Sequence, residues 1–164
     1  MNKENNLNLQ CPVCHMMVNK DNFFLDYQQR RFLFCSQQCL QNFKANPHLY
    51  VGRPAVPAPA QQGHQIIKIR IIKPGTLLTD EQCYVIENEI KQMMGIRSLQ
   101  VEPDFISITY DLMQVTVEQI ETAIEDTGNR IDKTLGELLK HAFMNYVEET
   151  ELVNLEDSAE IHKH

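Results

Sequence analysis

The sequence predicts an α+β chain made of a small metal-binding module followed by a larger domain of strands and helices. Three observations predict it. Four of the five cysteines fall into two close pairs before residue 40, a proline- and alanine-rich stretch follows near residue 55, and beyond it the hydrophobic pattern switches repeatedly between strand and helix periods.

Composition sets the outer bounds. With 164 residues and 43% hydrophobic content, the chain is long enough for one ordinary domain or two small ones and apolar enough to fold. No apolar run reaches the roughly 18 residues that cross a bilayer, and Met1-Asn2-Lys3-Glu4-Asn5-Asn6 lacks the basic-then-apolar order of an export signal. No membrane insertion and a cytoplasmic location are therefore expected. A formal net charge of -7 argues against nucleic acid as the main partner, because phosphate binding needs a clustered cationic surface.

The first element is the cysteine module, residues 8–52. Cys11-Pro12-Val13-Cys14 is a knuckle whose two sulfurs point to one side, and Cys35-Ser36-Gln37-Gln38-Cys39 places two more at i and i+4, neighbours if the segment opens a helix. Between the pairs, Phe23-Phe24-Leu25-Asp26-Tyr27 and Arg31-Phe32-Leu33-Phe34 flank Gln28-Gln29-Arg30 as two strands and a turn. Knuckle, hairpin and helix make a treble-clef-like site in which Cys11, Cys14, Cys35 and Cys39 ligate one ion, Zn2+ in first place with Cu+ as the alternative. Unligated buried thiols, or a lone redox pair at Cys11 and Cys14, would not account for the second pair and its spacing. An iron–sulfur cluster is a third option for four cysteines. Met16 and Met17 read as packing residues rather than soft ligands, and His48 as a surface or capping residue.

These residues carry a family resemblance. Cys11-Pro12-Val13-Cys14-His15-Met16-Met17-Val18, Phe34-Cys35-Ser36-Gln37-Gln38-Cys39, and then Phe43, Pro47 and Tyr50 resemble a YHS domain of the TRASH superfamily over residues 10–52. The resemblance implies metal binding through these cysteines, in settings of heavy-metal sensing, resistance and transport. His15 departs from it, standing where the family has glycine.

Residues 53–63, Arg53-Pro54-Ala55-Val56-Pro57-Ala58-Pro59-Ala60-Gln61-Gln62-Gly63, read as a linker. Alternating prolines favour extended geometry at about 3.1 Å per residue, which gives a semi-stiff spacer of roughly 30 Å holding two modules apart.

In the second domain, residues 64–133, Ile67, Ile69 and Ile71 alternate with Lys68 and Arg70 as a strand with one buried face. Cys83, Ile86, Ile90 and Met93 recur at helical spacing, with a capping box at Thr79 and Gln82 before them and Gly95 as the stop. Strands follow at Ile96 to Val101 and Phe105 to Tyr110. A second capping box, Thr116 with Gln119, opens a helix that buries Val117, Ile120 and Ile124 and ends at Gly128. With a short strand at Asn129 to Asp132, the order is the ferredoxin-like βαββαβ arrangement. Residues 134–149 follow as an amphipathic helix, with a capping box at Thr134 and Glu137. Its expected inward stripe is Leu135, Leu138, Leu139, Ala142, Phe143, Tyr146 and Val147, covering the open sheet face or pairing with a second chain as a homodimer. Glu148, Glu149, Glu151, Glu156, Asp157 and Glu160 crowd the last seventeen residues, and residues 150–164 read as an acidic flexible tail.

Residues Gly95-Ile96-Arg97-Ser98-Leu99-Gln100-Val101, Ile108-Thr109-Tyr110-Asp111 and Thr116 to Gly128 resemble the heavy-metal-associated (HMA) domain of copper chaperones and P-type ATPase tails. Aligning back from Gly95 places Thr79 and Gln82 where that family has its C-x-x-C cysteines, so the resemblance implies the fold and contact with a protein partner but not the metal loop. Cys83, one residue later, reads as a small core residue.

The whole reads as a soluble metal-handling protein with a non-metal-binding docking domain, the competing reading being a structural zinc-finger adaptor. No enzymatic activity is expected, since no nucleophile has a neighbouring base and no glycine-rich phosphate loop is present. His15, His48, His64, His141, His162 and His164 are scattered, apart from the terminal pair, which reads as a frayed end.

Overall fold

The computed structural model describes residues 10–18, 23–129 and 135–161. Strands β1 (Phe23–Tyr27) and β2 (Arg30–Phe34) form an antiparallel hairpin, followed by helix α1 (Gln37–Ala45). Then come β3 (Ile67–Ile72), α2 (Asp80–Lys91), β4 (Ile96–Val101), β5 (Ile106–Asp111), α3 (Val117–Asp126) and α4 (Leu135–Ile161). The second sheet is antiparallel in the order β3-β5-β4. Among the described residues this is a mixed α+β chain with two small sheets and four α-helices; the expected fourth strand of the second domain begins at Asn129, which is not in a strand, and otherwise falls on residues outside the described ones.

Both expected capping boxes of the second domain form. Thr79 accepts from the Gln82 amide while Gln82 accepts from that of Thr79, and Thr116 and Gln119 repeat the arrangement, so each helix start satisfies two otherwise orphaned donors. Gly95 has φ 86°, and a Cβ there would lie 2.7 Å from that of Gln114 and 3.2 Å from the Asp111 carbonyl. Only glycine meets both conditions, and its carbonyl accepts from the Asp111 amide.

The hairpin turn is tighter than the sequence implied. Tyr27 pairs with Arg30, leaving only Gln28 and Gln29 in the loop, both at positive φ (49° and 63°). Two left-handed residues in a two-residue loop match the twist of the flanking strands, but glutamine is a poor occupant there.

In β3 the assignment of faces is reversed. Ile67, Ile69 and Ile71 are 49%, 65% and 56% exposed. The register sets Lys68 opposite Tyr110, Arg70 opposite Ile108 and Ile72 opposite Ile106, so the basic residues lie on the covered side. Carboxylates of α4 explain why. Lys68 Nζ lies 2.6 Å from Glu151 Oε2, and the buried Glu148 accepts from the Tyr110 hydroxyl (2.9 Å) and the Val117 amide (2.9 Å).

The last helix accordingly departs from expectation in face and length. Phe143 and Tyr146 are exposed, while Glu148 and Leu152 are buried and Met144 and Leu155 pack on the core. Side chains of Leu135, Leu138, Leu139 and Ala142 lie outside the described residues, as do Thr134 and the Glu137 side chain, so the stripe and capping box expected there are not described. The helix packs on the same side of the sheet as α2 and α3, not on the open face. It also continues to Ile161 through the segment expected to be a flexible tail, because Glu156 accepts from Asn46 Nδ2 (2.7 Å) and Leu152 finds a buried site.

The proline-rich segment is not an extended spacer. Arg53 and Val56 exchange two backbone hydrogen bonds of 2.9 Å, a short 3₁₀ turn covers Ala60–Gln62, and Ala58 and Ala60 are buried. The two modules are therefore in contact. Gln38 Nε2 donates to the carbonyls of Met94 and Gln114 (both 2.9 Å), Asn42 Nδ2 to that of Gln114 (2.5 Å) and the Tyr50 hydroxyl to that of Met113 (2.7 Å). Buried Asp111 shapes the receiving loop, its carboxylate accepting from the amides of Ile66 and Met113.

Replacing Gln28 by Asn and Gln29 by Gly is expected to raise the unfolding free energy by about 1 kcal/mol in denaturant titration. Burial raises the Glu148 carboxyl above the ordinary glutamate range, outweighing its hydrogen bonds and the nearby Arg70 and Lys68. The native chain thus binds more protons there than the unfolded one, and stability falls as pH rises from that range through the raised value. Glu148→Gln should remove this fall, so its melting temperature, compared with wild type between pH 4 and 8, should gain most at the alkaline end.

Candidate metal centre

Three local devices place the four cysteines. Cys11 and Cys14 sit in a turn closed by the Cys11 amide donating to the Met16 carbonyl (2.8 Å) and the His15 amide donating to the Cys11 carbonyl (2.9 Å). Cys35 directly follows β2, and Cys39 is in the first turn of α1, where the Ser36 hydroxyl caps the helix by accepting from the Cys39 amide (3.3 Å). The cysteines of the second pair are neighbours, as their spacing required, although Cys35 lies just before the helix cap.

Beneath the hairpin an aromatic cluster fixes α1. Phe43 lies at its centre, with ring centroids 5.7 Å from Tyr27, 5.2 Å from Phe32, 5.1 Å from Phe34 and 6.1 Å from Tyr50. His48 stands at the edge of this cluster, its ring nitrogen 3.4 Å from the Tyr27 hydroxyl.

The four Sγ atoms of Cys11, Cys14, Cys35 and Cys39 all lie within 4.8 Å of one another. Cys14 and Cys35 are 3.3 Å apart and Cys35 and Cys39 3.5 Å. A tetrahedral ion with metal–sulfur bonds of about 2.3 Å needs sulfurs about 3.8 Å apart, so small shifts would seat one. All four cysteines are free thiols. Hydrogen bonds from Cys14 and Cys39 hold the Cys11 thiol well below its ordinary value, helped by the amides of Cys14 and Cys35. Cys14 and Cys39 are pushed up, first by their hydrogen bonds to Cys11. Crowded thiols thus share few negative charges among themselves, and a cation at their centre is what lets all four ionise.

Met16 and Met17 do not pack as expected: they are 52% and 64% exposed, because the turn closes through backbone pairing of Gln10 with Met17 and leaves both side chains outside. Cys83 is half-buried and packs against the core, as its place in the helical pattern implied. Ser36 was legible in retrospect as a capping residue before a helix, whereas the inter-module role of Gln38, Asn42 and Tyr50 left no local signal.

Residues 9–54 match the family model of the YHS domain. No curated protein and no solved structure matches the chain. Among the described residues, no helix is long and apolar enough to cross a membrane.

The departure at His15 has a structural counterpart. Its φ is 64°, the left-handed region that glycine occupies at least cost. His15→Gly is expected to raise stability by up to about 1 kcal/mol, the relief of the Cβ clash being partly offset by added freedom of the unfolded chain. Chemical denaturation of the metal-loaded chain checks this, and an unchanged midpoint would contradict it.

Proposed function

We propose that this chain is a cytoplasmic metal-handling protein without enzymatic activity, in which Cys11, Cys14, Cys35 and Cys39 hold one zinc ion or, under copper exposure, Cu(I). The convergence of four sulfurs within 4.8 Å carries the reading. That spacing suits one ion at the centre better than an iron–sulfur cluster, whose own atoms would stand between the thiolates. Four thiolates suit zinc and, through softness, Cu(I).

In this reading the second domain is an HMA-like ferredoxin fold that has lost its metal loop and serves for docking. Its support is the element order from β3 to α3, the strand order β3-β5-β4, and the Thr79 and Gln82 capping box at the place of the missing cysteines. Its partner is a protein, a second copy included, received on the sheet face that carries Ile67, Ile69 and Ile71. The net charge of -7 supports a partner other than nucleic acid.

One observation favours the alternative of a purely structural zinc site in an adaptor. Cys11 and Cys39 are fully buried, and the helix carrying Cys39 is hydrogen-bonded into the second domain, which would slow exchange. Native mass spectrometry with elemental analysis, before and after challenge with glutathione-buffered Cu(I), separates the two. Zinc replaced by copper in wild type, with neither ion held by a Cys35→Ser, Cys39→Ser chain, is the outcome expected for metal handling. Zinc retained under challenge would favour the adaptor, and a chain that binds no metal would overturn both.

A further inference from the structure

The four sulfurs are not equivalent. Cys11 and Cys39 are 0% exposed, whereas Cys14 and Cys35 are only half-buried. The same two lie 3.3 Å apart, and they join segments 21 residues apart in sequence. Cys35 also approaches Cys39 to 3.5 Å, but Cys39 is sealed from solvent and fixed in the first turn of α1.

We propose that the centre is a redox-releasable clamp, in which a peroxide oxidises Cys14 and Cys35 to a disulfide and expels the metal. The inference rests on the metal-binding reading above. One of the two thiolates attacks a peroxide oxygen, the O–O bond breaks, and the departing hydroxide takes a proton to become water. The resulting sulfenic acid is attacked by the second thiolate; its S–O bond breaks, the S–S bond forms and a second water leaves. Two electrons pass from the sulfurs to the peroxide and two protons are consumed. The metal, left with Cys11 and Cys39 alone, dissociates as these take protons from solvent.

The disulfide replaces the metal as the tie between the knuckle and the start of α1. Pairing within Cys11 and Cys14, or within Cys35 and Cys39, would join only near neighbours and leave the two halves of the site untied. The geometry therefore lets the ion depart while the halves stay joined.

The test uses the full chain carrying Cys83→Ser, so that the fifth thiol cannot exchange, with zinc content measured beforehand. After stoichiometric hydrogen peroxide, a chromogenic chelator reads released zinc, and peptide mapping of the alkylated chain reads the disulfide. One zinc released per chain, with the Cys14–Cys35 cross-link at least fivefold over any other and reversed by thiol reductant and zinc, is the result expected. A dominant Cys11–Cys14 or Cys35–Cys39 link, or zinc lost without a cross-link, would overturn the proposal. A starting chain that holds no zinc overturns the metal-binding reading and the clamp with it, whereas a zinc-loaded chain that forms another link overturns the clamp alone.

Discussion

Four thiols held within 4.8 Å of one another make up the constraint on which the N-terminal module depends. Uncharged, they are weak hydrogen-bonding partners; ionised, they repel. A central cation would resolve the conflict, and the other features of the module place the four sulfurs. The knuckle turn tolerates His15 at positive φ, the hairpin tolerates two left-handed glutamines, and Ser36 caps the helix at the residue before it begins. Such strains are small beside the roughly 10 kcal/mol or more that structural zinc contributes in small peptides.

The module is not an independent bead. Phe43 and Tyr50 link its aromatic cluster to the loop at residues 112–116, and α4 then runs across both modules, held by Glu148 and Glu151 at the sheet and by Glu156 at Asn46. The helix that carries Cys39 therefore reports on both sides of this junction. Whatever orders its first turn also orders the contacts that Gln38 makes within that turn and Asn42 one turn along.

What could be read in the sequence was whatever is decided locally. Capping boxes at Thr79 and Thr116, the stop at Gly128, the strands flanking Pro103 and the spacing within each cysteine pair involve residues within a few positions of one another, and each took its expected form, whereas α2 ends at Lys91, before the stop expected at Gly95. The misreadings share a different cause. Prolines in residues 53–63 suggested extension, but Ala58 and Ala60 are buried, Ala60 within the hydrophobic core. In β3 the isoleucines looked like the inner face because Lys68 and Arg70 looked like the outer one, and only the carboxylates of α4, some eighty residues away, reverse that choice. Glutamates 148 and 156 looked like tail for the same reason: their partners are Tyr110, Val117 and Asn46.

The junction between the modules has an asymmetric grammar. Gln38, Asn42 and Tyr50 speak with side chains, but Met94, Met113 and Gln114 answer with main-chain carbonyls. A carbonyl is supplied by any amino acid whose backbone runs the same way. The receiving domain is thus free to diverge in sequence at these positions, while selection on the contact falls mainly on the cysteine-bearing side and on Gly95 and Asp111, which set the course of the backbone.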